Sequence, residues 1–111
     1  MTDTAMDFAK AQRDAGITRA VSNAEGKTPG WSDLALAWIR LYAYEHRGEK
    51  FIGRDIVLAS RNAGVIQPPN DKAWGGPMMR AARAGVIRKV GTAPDPNRHC
   101  NPVPLWEACF P

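Results

Sequence analysis

The chain has 111 residues, with 15 basic and 11 acidic side chains and a formal net charge of +4. This length suits one small domain, and a content of 44% hydrophobic and 23% charged residues argues against disorder of the whole chain. No apolar run approaches the ~20 residues that a membrane span needs, and the N-terminus lacks the basic and apolar segments of a secretory signal. We therefore expect a cytoplasmic protein with no membrane partner.

The cysteines and histidines are Cys100, Cys109, His46 and His99. They are too scattered for a structural zinc site, which uses four ligands that usually come as two closely spaced pairs. Two cysteines in a chain without an export signal favour free thiols in a reducing compartment. No nucleophile–base spacing, phosphate-binding glycine loop or pair of carboxylates stands out. The sequence therefore predicts no metal, no cofactor and no enzymatic activity.

The positive charge is concentrated in one part of the chain. Residues 1–30 carry four basic and four acidic side chains, whereas residues 72–98 carry six basic side chains against Asp95 alone, a net charge of +5. A local excess of this kind indicates where an acidic partner would bind.

The first two helices are separated by the turn-forming sequence GKTPG at residues 26–30. The first is expected over about residues 4–23, with Gly16 as the point where it weakens or breaks. Ser32 is the expected N-cap of the second helix, which runs to about Arg47 before Gly48. These features divide the chain into an N-terminal helix with its linker, residues 1–30, and a domain over residues 31–111.

A short extended segment at Phe51 precedes a third helix over about residues 54–62, which Gly64 ends. Asn70 or Asp71 is expected to cap a fourth helix of about fourteen residues. Since Pro77 lacks an N–H, we expect either a kink near residues 73–77 or a short first turn followed by a new start at Pro77.

Two strands follow the fourth helix. The β-branched run at residues 86–90 predicts the first strand, and residues 103–107 predict the second. The intervening residues 91–102 are rich in proline, asparagine and glycine and are predicted to be a loop. Pro104 predicts that the second strand lies at a sheet edge.

This order predicts a mostly α protein with a small β-hairpin, a winged helix-turn-helix with an extra N-terminal helix. The helix from about residue 71 would enter the major groove, and the wing at residues 91–102 would lie on the DNA backbone. Trp74, Met78 and Trp106 are expected in the core, whereas Gly76 and Met79 are expected on or near the outward side of the fourth helix.

Basic side chains on these elements would neutralise phosphates and release counterions, and an outward arginine can also read guanine. His99, at the wing tip, is a further candidate for a phosphate contact. The predicted nucleic-acid-binding residues are Lys72, Arg80, Arg83, Arg88, Lys89, Arg98 and His99.

Four segments carry a resemblance to a known group of proteins: the tryptophan that opens the second helix, AGVIQPPNDKAWG across the turn, RAARAGVIRKVG from helix into strand, and PVPLWEA at the end. Over about residues 10–108 the chain resembles small winged-helix proteins encoded by bacteriophages and prophages. The resemblance implies DNA binding by the helix that starts near Asp71. Pro77 is not required by that pattern, which favours backbone binding over base reading.

Two functions are consistent with this sequence. The first is a DNA-binding protein with a regulatory or replication-associated role. The second is a protein-interaction module or a phage inhibitor of a host factor, such as a nuclease or a CRISPR effector, because a fold does not fix a function. The N-terminal helix would either mediate a homodimer or pack on its own domain.

Overall fold

The computed structural model describes the backbone of residues 4–109 and the side chains of residues 13–109. The helices are α1 (Thr4–Lys27), α2 (Trp31–Glu45), α3 (Gly53–Asn62) and α4 (Gly75–Arg83), and the strands are β1 (Lys50–Ile52), β2 (Ile87–Asp95) and β3 (Asn101–Ala108). A 3₁₀ turn at Asp71–Trp74 precedes α4, and a second one at Pro96–Arg98 connects β2 to β3. The prediction of a mostly helical chain with a small β-hairpin is confirmed, since β2 and β3 pair antiparallel. Strand β1 adds a third strand, in the order β1-β3-β2.

Helix α1 continues past Gly16 without a break and ends four residues later than predicted. Lys27, which was expected in the linker, is its last residue, and the Thr28 N–H donates to the Ala24 carbonyl oxygen at 2.8 Å. Ala20 and Ala24 are buried in the same core as Trp31 and Trp74. Of the two roles expected for α1, packing on its own domain is observed at these positions, and homodimerisation stays a prediction.

The start of α2 differs from the expectation that Ser32 is its N-cap. Trp31 is already helical, and Gly30 precedes it with a φ of 83°. The Glu25 carboxylate accepts hydrogen bonds from the Gly30 N–H at 2.7 Å and the Ser32 N–H at 2.8 Å. The end of α1 therefore supplies the cap of α2, because a carboxylate satisfies the unpaired N–H groups of a helix start.

Both ends of α3 follow from local chemistry. The Asp55 carboxylate accepts from the Ile52 N–H at 2.9 Å. Gly64 has a φ of 77°, and the Val65 N–H donates to the Ser60 carbonyl oxygen at 3.0 Å, which closes the helix end. The predicted stop at Gly64 is confirmed.

The predicted fourteen-residue fourth helix is divided into a 3₁₀ turn and α4. Asn70 caps the turn as expected, since its side chain accepts from the Lys72 N–H at 2.9 Å. The α-helix then begins at Gly75, two residues before the restart predicted at Pro77. Pro77 lies in the first turn of α4, where a missing N–H leaves no helical hydrogen bond unmade.

The hairpin corrects the prediction of a loop at residues 91–102. Strand β2 extends to Asp95 and pairs with β3 from Asn101, and only residues 96–100 turn. Residues 101–104 pair with β2 alone, so Pro102 and Pro104 have a free strand edge on their other side, where a missing N–H is tolerated. The expectation of an edge strand at 103–107 is wrong, because β1 pairs with Leu105, Trp106 and Glu107.

The core lies between the helices and one face of the sheet. Its four largest fully buried side chains are those of Trp31, Ile39, Ile56 and Ile87. The rings of Trp31 and Trp74 meet edge to face with centroids 5.3 Å apart. The predicted core positions Trp74, Met78 and Trp106 are confirmed as buried.

Candidate nucleic-acid interface

A broad cleft of about 1200 Å³ opens between α1, α3, the first 3₁₀ turn with α4, and the β2–β3 hairpin. Its acidic side chains are Asp14, Asp71 and Asp95. Its basic side chains, which define the surface called here the basic cleft, are Arg13, Arg54, Arg61, Lys72, Arg83, Lys89 and Arg98.

The basic cleft accounts for the entire excess charge of the protein. Seven basic and three acidic residues line it, a net charge of +4, and the rest of the sequence carries eight of each sign. A concave surface with an excess of positive charge concentrates the electrostatic potential and attracts a polyanion. The net positive charge of the chain is therefore located on one concave surface.

The seven predicted binding residues are all exposed, but they divide into two groups. Four of them line the basic cleft: Lys72, Arg83, Lys89 and Arg98. Arg80 instead forms an ion pair with Asp33 of α2, with its Nη1 3.1 Å from Oδ1. Arg88 pairs with Glu107 of β3, where Nε lies 2.6 Å from Oε1. The hydrogen bond and charge of Glu107 raise the pKa of Arg88 above its ordinary value.

His99 is at the turn of the hairpin, outside the cleft lining. It adopts a left-handed backbone with a φ of 54°, and Cys100 follows with a φ of 62°. The turn is held from within, since the Asp95 carboxylate accepts from the Asn97 N–H and the Asp95 carbonyl oxygen accepts from the Cys100 N–H, both at 2.9 Å. These bonds hold Arg98 at the end of the hairpin, on the rim of the cleft.

Three arginines of the basic cleft lie outside the predicted set. Arg54 and Arg61 are seven residues apart on α3 and so share one face of that helix. Arg61 also forms an ion pair with Asp71 at the start of the 3₁₀ turn. The i, i+7 spacing of Arg54 and Arg61 within the predicted third helix is a sequence signal from which a shared basic face could have been predicted. Arg13 is in the charge-neutral N-terminal segment, so only the packing of α1 reveals its position.

Helix α1 reaches the cleft because two glycines let it approach the start of α4. A Cβ atom at Gly76 would lie 2.7 Å from Val21 Cγ2, and one at Gly75 would lie 2.9 Å from Ile17 Cδ1. Gly76 was expected on or near the outward side of the fourth helix, but it is half-buried against α1. The first turn of α4 is thus partly covered, and α1 forms one wall of the cleft.

The described part of the chain contains no group of three or more histidine, cysteine or acidic side chains placed to hold a metal ion. Among its helices, none combines the length and the apolar character that crossing a membrane requires. Comparison with protein-family models, curated proteins and solved structures finds no match to this chain.

Proposed function

We propose that the chain is a winged-helix protein that binds the backbone of double-stranded DNA in the basic cleft, in the cytoplasm of a bacterial host. The observation that carries the proposal is the net +4 charge of that cleft, against a neutral remainder of the sequence. A phage or prophage origin and a regulatory or replication-associated role are part of the same proposal.

The order of elements supports it. Helices α3 and α4, joined by residues 63–70 and the 3₁₀ turn, precede the long β2–β3 hairpin, and β1 adds the third strand. In a winged helix-turn-helix the second helix of such a pair enters the major groove and the hairpin lies beside it. Here both elements, with α3 and α1, contribute cations to one concave surface.

The energetic basis is counterion release. Each phosphate that a lysine or arginine neutralises frees condensed cations from the DNA, so several contacts give an affinity that falls steeply with salt. Arg13, Arg54, Lys72, Arg83, Lys89 and Arg98 have no ion pair among the described residues, and Arg61 is paired with Asp71.

The test compares two double variants that remove the same net charge. Arg54→Ala with Arg83→Ala removes cations inside the basic cleft, and Arg80→Ala with Arg88→Ala removes ion-paired cations outside it. Fluorescence anisotropy with a duplex of about 20 base pairs at about 50 mM salt should show a loss of about 10- to 100-fold for the first pair and less than about threefold for the second. Absence of binding by the unmodified protein, or equal losses for both pairs, would contradict the proposal.

A protein-interaction module is the second candidate. Leu34 and Leu41 are 43% and 48% exposed and are seven residues apart, so they share one face of α2. Exposed apolar side chains on one helix face are typical of a protein contact when they form a continuous patch. If this function is the correct one, nuclease-treated lysate should yield a stoichiometric bound protein that Leu34→Asp with Leu41→Asp loses, and the cleft variants should leave its binding unchanged.

A further inference from the structure

The side chains of α4 leave this helix poorly equipped to read DNA sequence. Base edges are recognised by hydrogen-bonding side chains, chiefly those of arginine, lysine, asparagine, glutamine, serine and threonine. The α4 sequence is GGPMMRAAR, in which Arg80 and Arg83 are the only such residues.

The first turn of α4 has no side chain available for a groove. Recognition helices of helix-turn-helix proteins contact base edges mainly with their N-terminal residues. In α4, Gly75 and Gly76 have no side chain and pack against Ile17 and Val21, and Pro77 and Met78 are buried. The part of the helix that usually carries base readout is therefore occupied by packing against α1 and the core.

The remaining exposed positions of α4 supply one candidate for a base contact. Arg80 is paired with Asp33 and lies outside the cleft lining. Met79 is 47% exposed in the cleft, where its thioether can make an apolar contact but lacks a donor. Arg83, in the last turn of the helix, is therefore the one candidate in α4 for a base contact.

The cations of the basic cleft are spread differently. They come from α1, α3, α4, both 3₁₀ turns and β2, so no single element dominates. Such an arrangement suits contacts along a phosphate backbone, which fix register and orientation without reading sequence.

We infer that the basic cleft binds duplex DNA with little or no sequence preference, through the backbone, and that Arg83 acts as a phosphate contact. This inference rests on the proposed function and specifies its substrate as duplex DNA of any sequence. A binder of this class suits a replication-associated or DNA-protecting task better than the recognition of one operator.

The first test measures affinity for three unrelated duplexes of about 20 base pairs, one AT-rich, one GC-rich and one mixed, together with selection from a random-sequence library at about 50 mM salt. We expect affinities within about threefold of one another and no enriched motif longer than two base pairs, whereas sequence-specific proteins prefer their sites by roughly 10³-fold or more. An enriched site with such a preference would overturn the inference and leave DNA binding in place. Failure to bind any duplex would overturn the proposed function itself.

The second test separates the two roles of Arg83. If Arg83 contacts a phosphate, Arg83→Lys keeps the affinity within about threefold, and Arg83→Ala weakens binding to all three duplexes by the same factor. If Arg83 instead reads guanine, the loss in the alanine variant is confined to duplexes that contain the site, and the lysine variant, which lacks the planar fork, loses more affinity for that site than for the other duplexes. The second result would contradict the inference. Circular dichroism of each variant checks that the fold is intact.

Discussion

At the scale of single residues, Gly76 decides how closely α1 approaches α4. Replacing a helical glycine with alanine normally stabilises a protein by about 0.5–1 kcal/mol, because glycine loses more backbone entropy on folding. A methyl group at position 76 would instead meet Val21 Cγ2 at 2.7 Å, and a β-branched side chain has few rotamers with which to move aside. We expect Gly76→Ala to lower the free energy of unfolding by about 1–3 kcal/mol, measured by chemical denaturation.

Gly16→Ala is the matched control, since Gly16 is also helical and a Cβ there meets no atom within 4 Å. We expect this variant to gain about 0.5–1 kcal/mol. Adding Val21→Ala to Gly76→Ala should recover part of the lost stability, because the clash is with the valine. Equal stability of Gly16→Ala and Gly76→Ala would show that α1 does not pack closely on α4.

Glu25 provides a prediction on pH dependence. The hydrogen bond from the Ser32 backbone N–H, with that from Gly30, lowers the pKa of Glu25 below its ordinary value of 4.5. A carboxyl whose pKa is lower in the folded state adds stability above its unfolded pKa and loses that stability as the pH falls through its folded pKa. We expect Glu25→Gln to melt at a lower temperature at pH 7 and the difference from the unmodified protein to shrink as the pH falls below about 4.5. A difference that stays constant down to pH 2 would contradict this cap.

Glu25 also shows why the start of α2 could not be predicted from its own residues. The sequence around Ser32 has the local pattern of an N-cap, and that pattern predicted the helix start to within two residues. The actual cap lies five to seven residues upstream, at the end of a separate helix. Its position depends on how the turn at residues 28–30 folds back, which no i, i+3 pattern encodes.

At the scale of elements, the hairpin shows how pairing partners override local composition. Prolines and asparagines at residues 91–102 predicted a loop, yet the register pairs Pro94 with Pro102 and Asp95 with Asn101. The composition of a single strand does not show which of its edges has a neighbour, and the tolerance for proline depends on that. The two-part fourth helix was closer to prediction, because Pro77 itself indicates a break.

The turn of the hairpin can be removed as a unit. Replacing residues 96–100 with Asn-Gly, a sequence that favours tight two-residue turns, should keep the β2–β3 pairing and remove Arg98. We expect DNA affinity to fall by about tenfold at 50 mM salt, and the slope of log affinity against log salt to become shallower by about 0.9, the value for one lost phosphate contact.

Arg98→Ala is the control for that replacement and should produce the same two changes, because we assign the effect to one side chain. A larger loss in the replacement would indicate that the turn contacts DNA through further groups, His99 among them. No loss in either variant would show that the turn of the hairpin does not contribute to the binding surface.

At the scale of the whole molecule, the sequence located the charge but not the surface that collects it. The +5 segment at residues 72–98 supplied four of the seven cations in the cleft, but Arg80 and Arg88 pair with carboxylates from distant parts of the chain. Asp33 meets Arg80 through the packing of α2 on α4, and Glu107 meets Arg88 because the β2–β3 register places them opposite each other. A cation count along the sequence cannot separate paired from unpaired charge, and it cannot bring Arg13 to the same surface.

The contacts of α1 decide whether the chain folds as one unit or as an N-terminal helix with a separate domain. Ala24 is 1% exposed within the core shared with Trp31, and Asn23 beside it is exposed. All four tryptophans are at or after residue 31, so the midpoint of their fluorescence transition follows the unfolding of the proposed second domain. Ala24→Asp and Asn23→Asp, made separately, therefore test whether destabilising α1 also destabilises residues 31–111.

A carboxylate at position 24 would be buried without a partner in an apolar core, which costs on the order of 3 kcal/mol. For a cooperative unit of this size, that cost corresponds to a decrease of roughly 10–20 °C in the melting temperature. If α1 and residues 31–111 unfold together, Ala24→Asp should shift the tryptophan fluorescence and far-ultraviolet circular dichroism transitions by the same amount, and Asn23→Asp should leave both nearly unchanged. If α1 is a separate unit, Ala24→Asp should leave the fluorescence transition in place and lower only part of the dichroism signal. We expect the coincident shift, since Ala20 and Ala24 lie in one core with residues from α2, the 3₁₀ turn and α4.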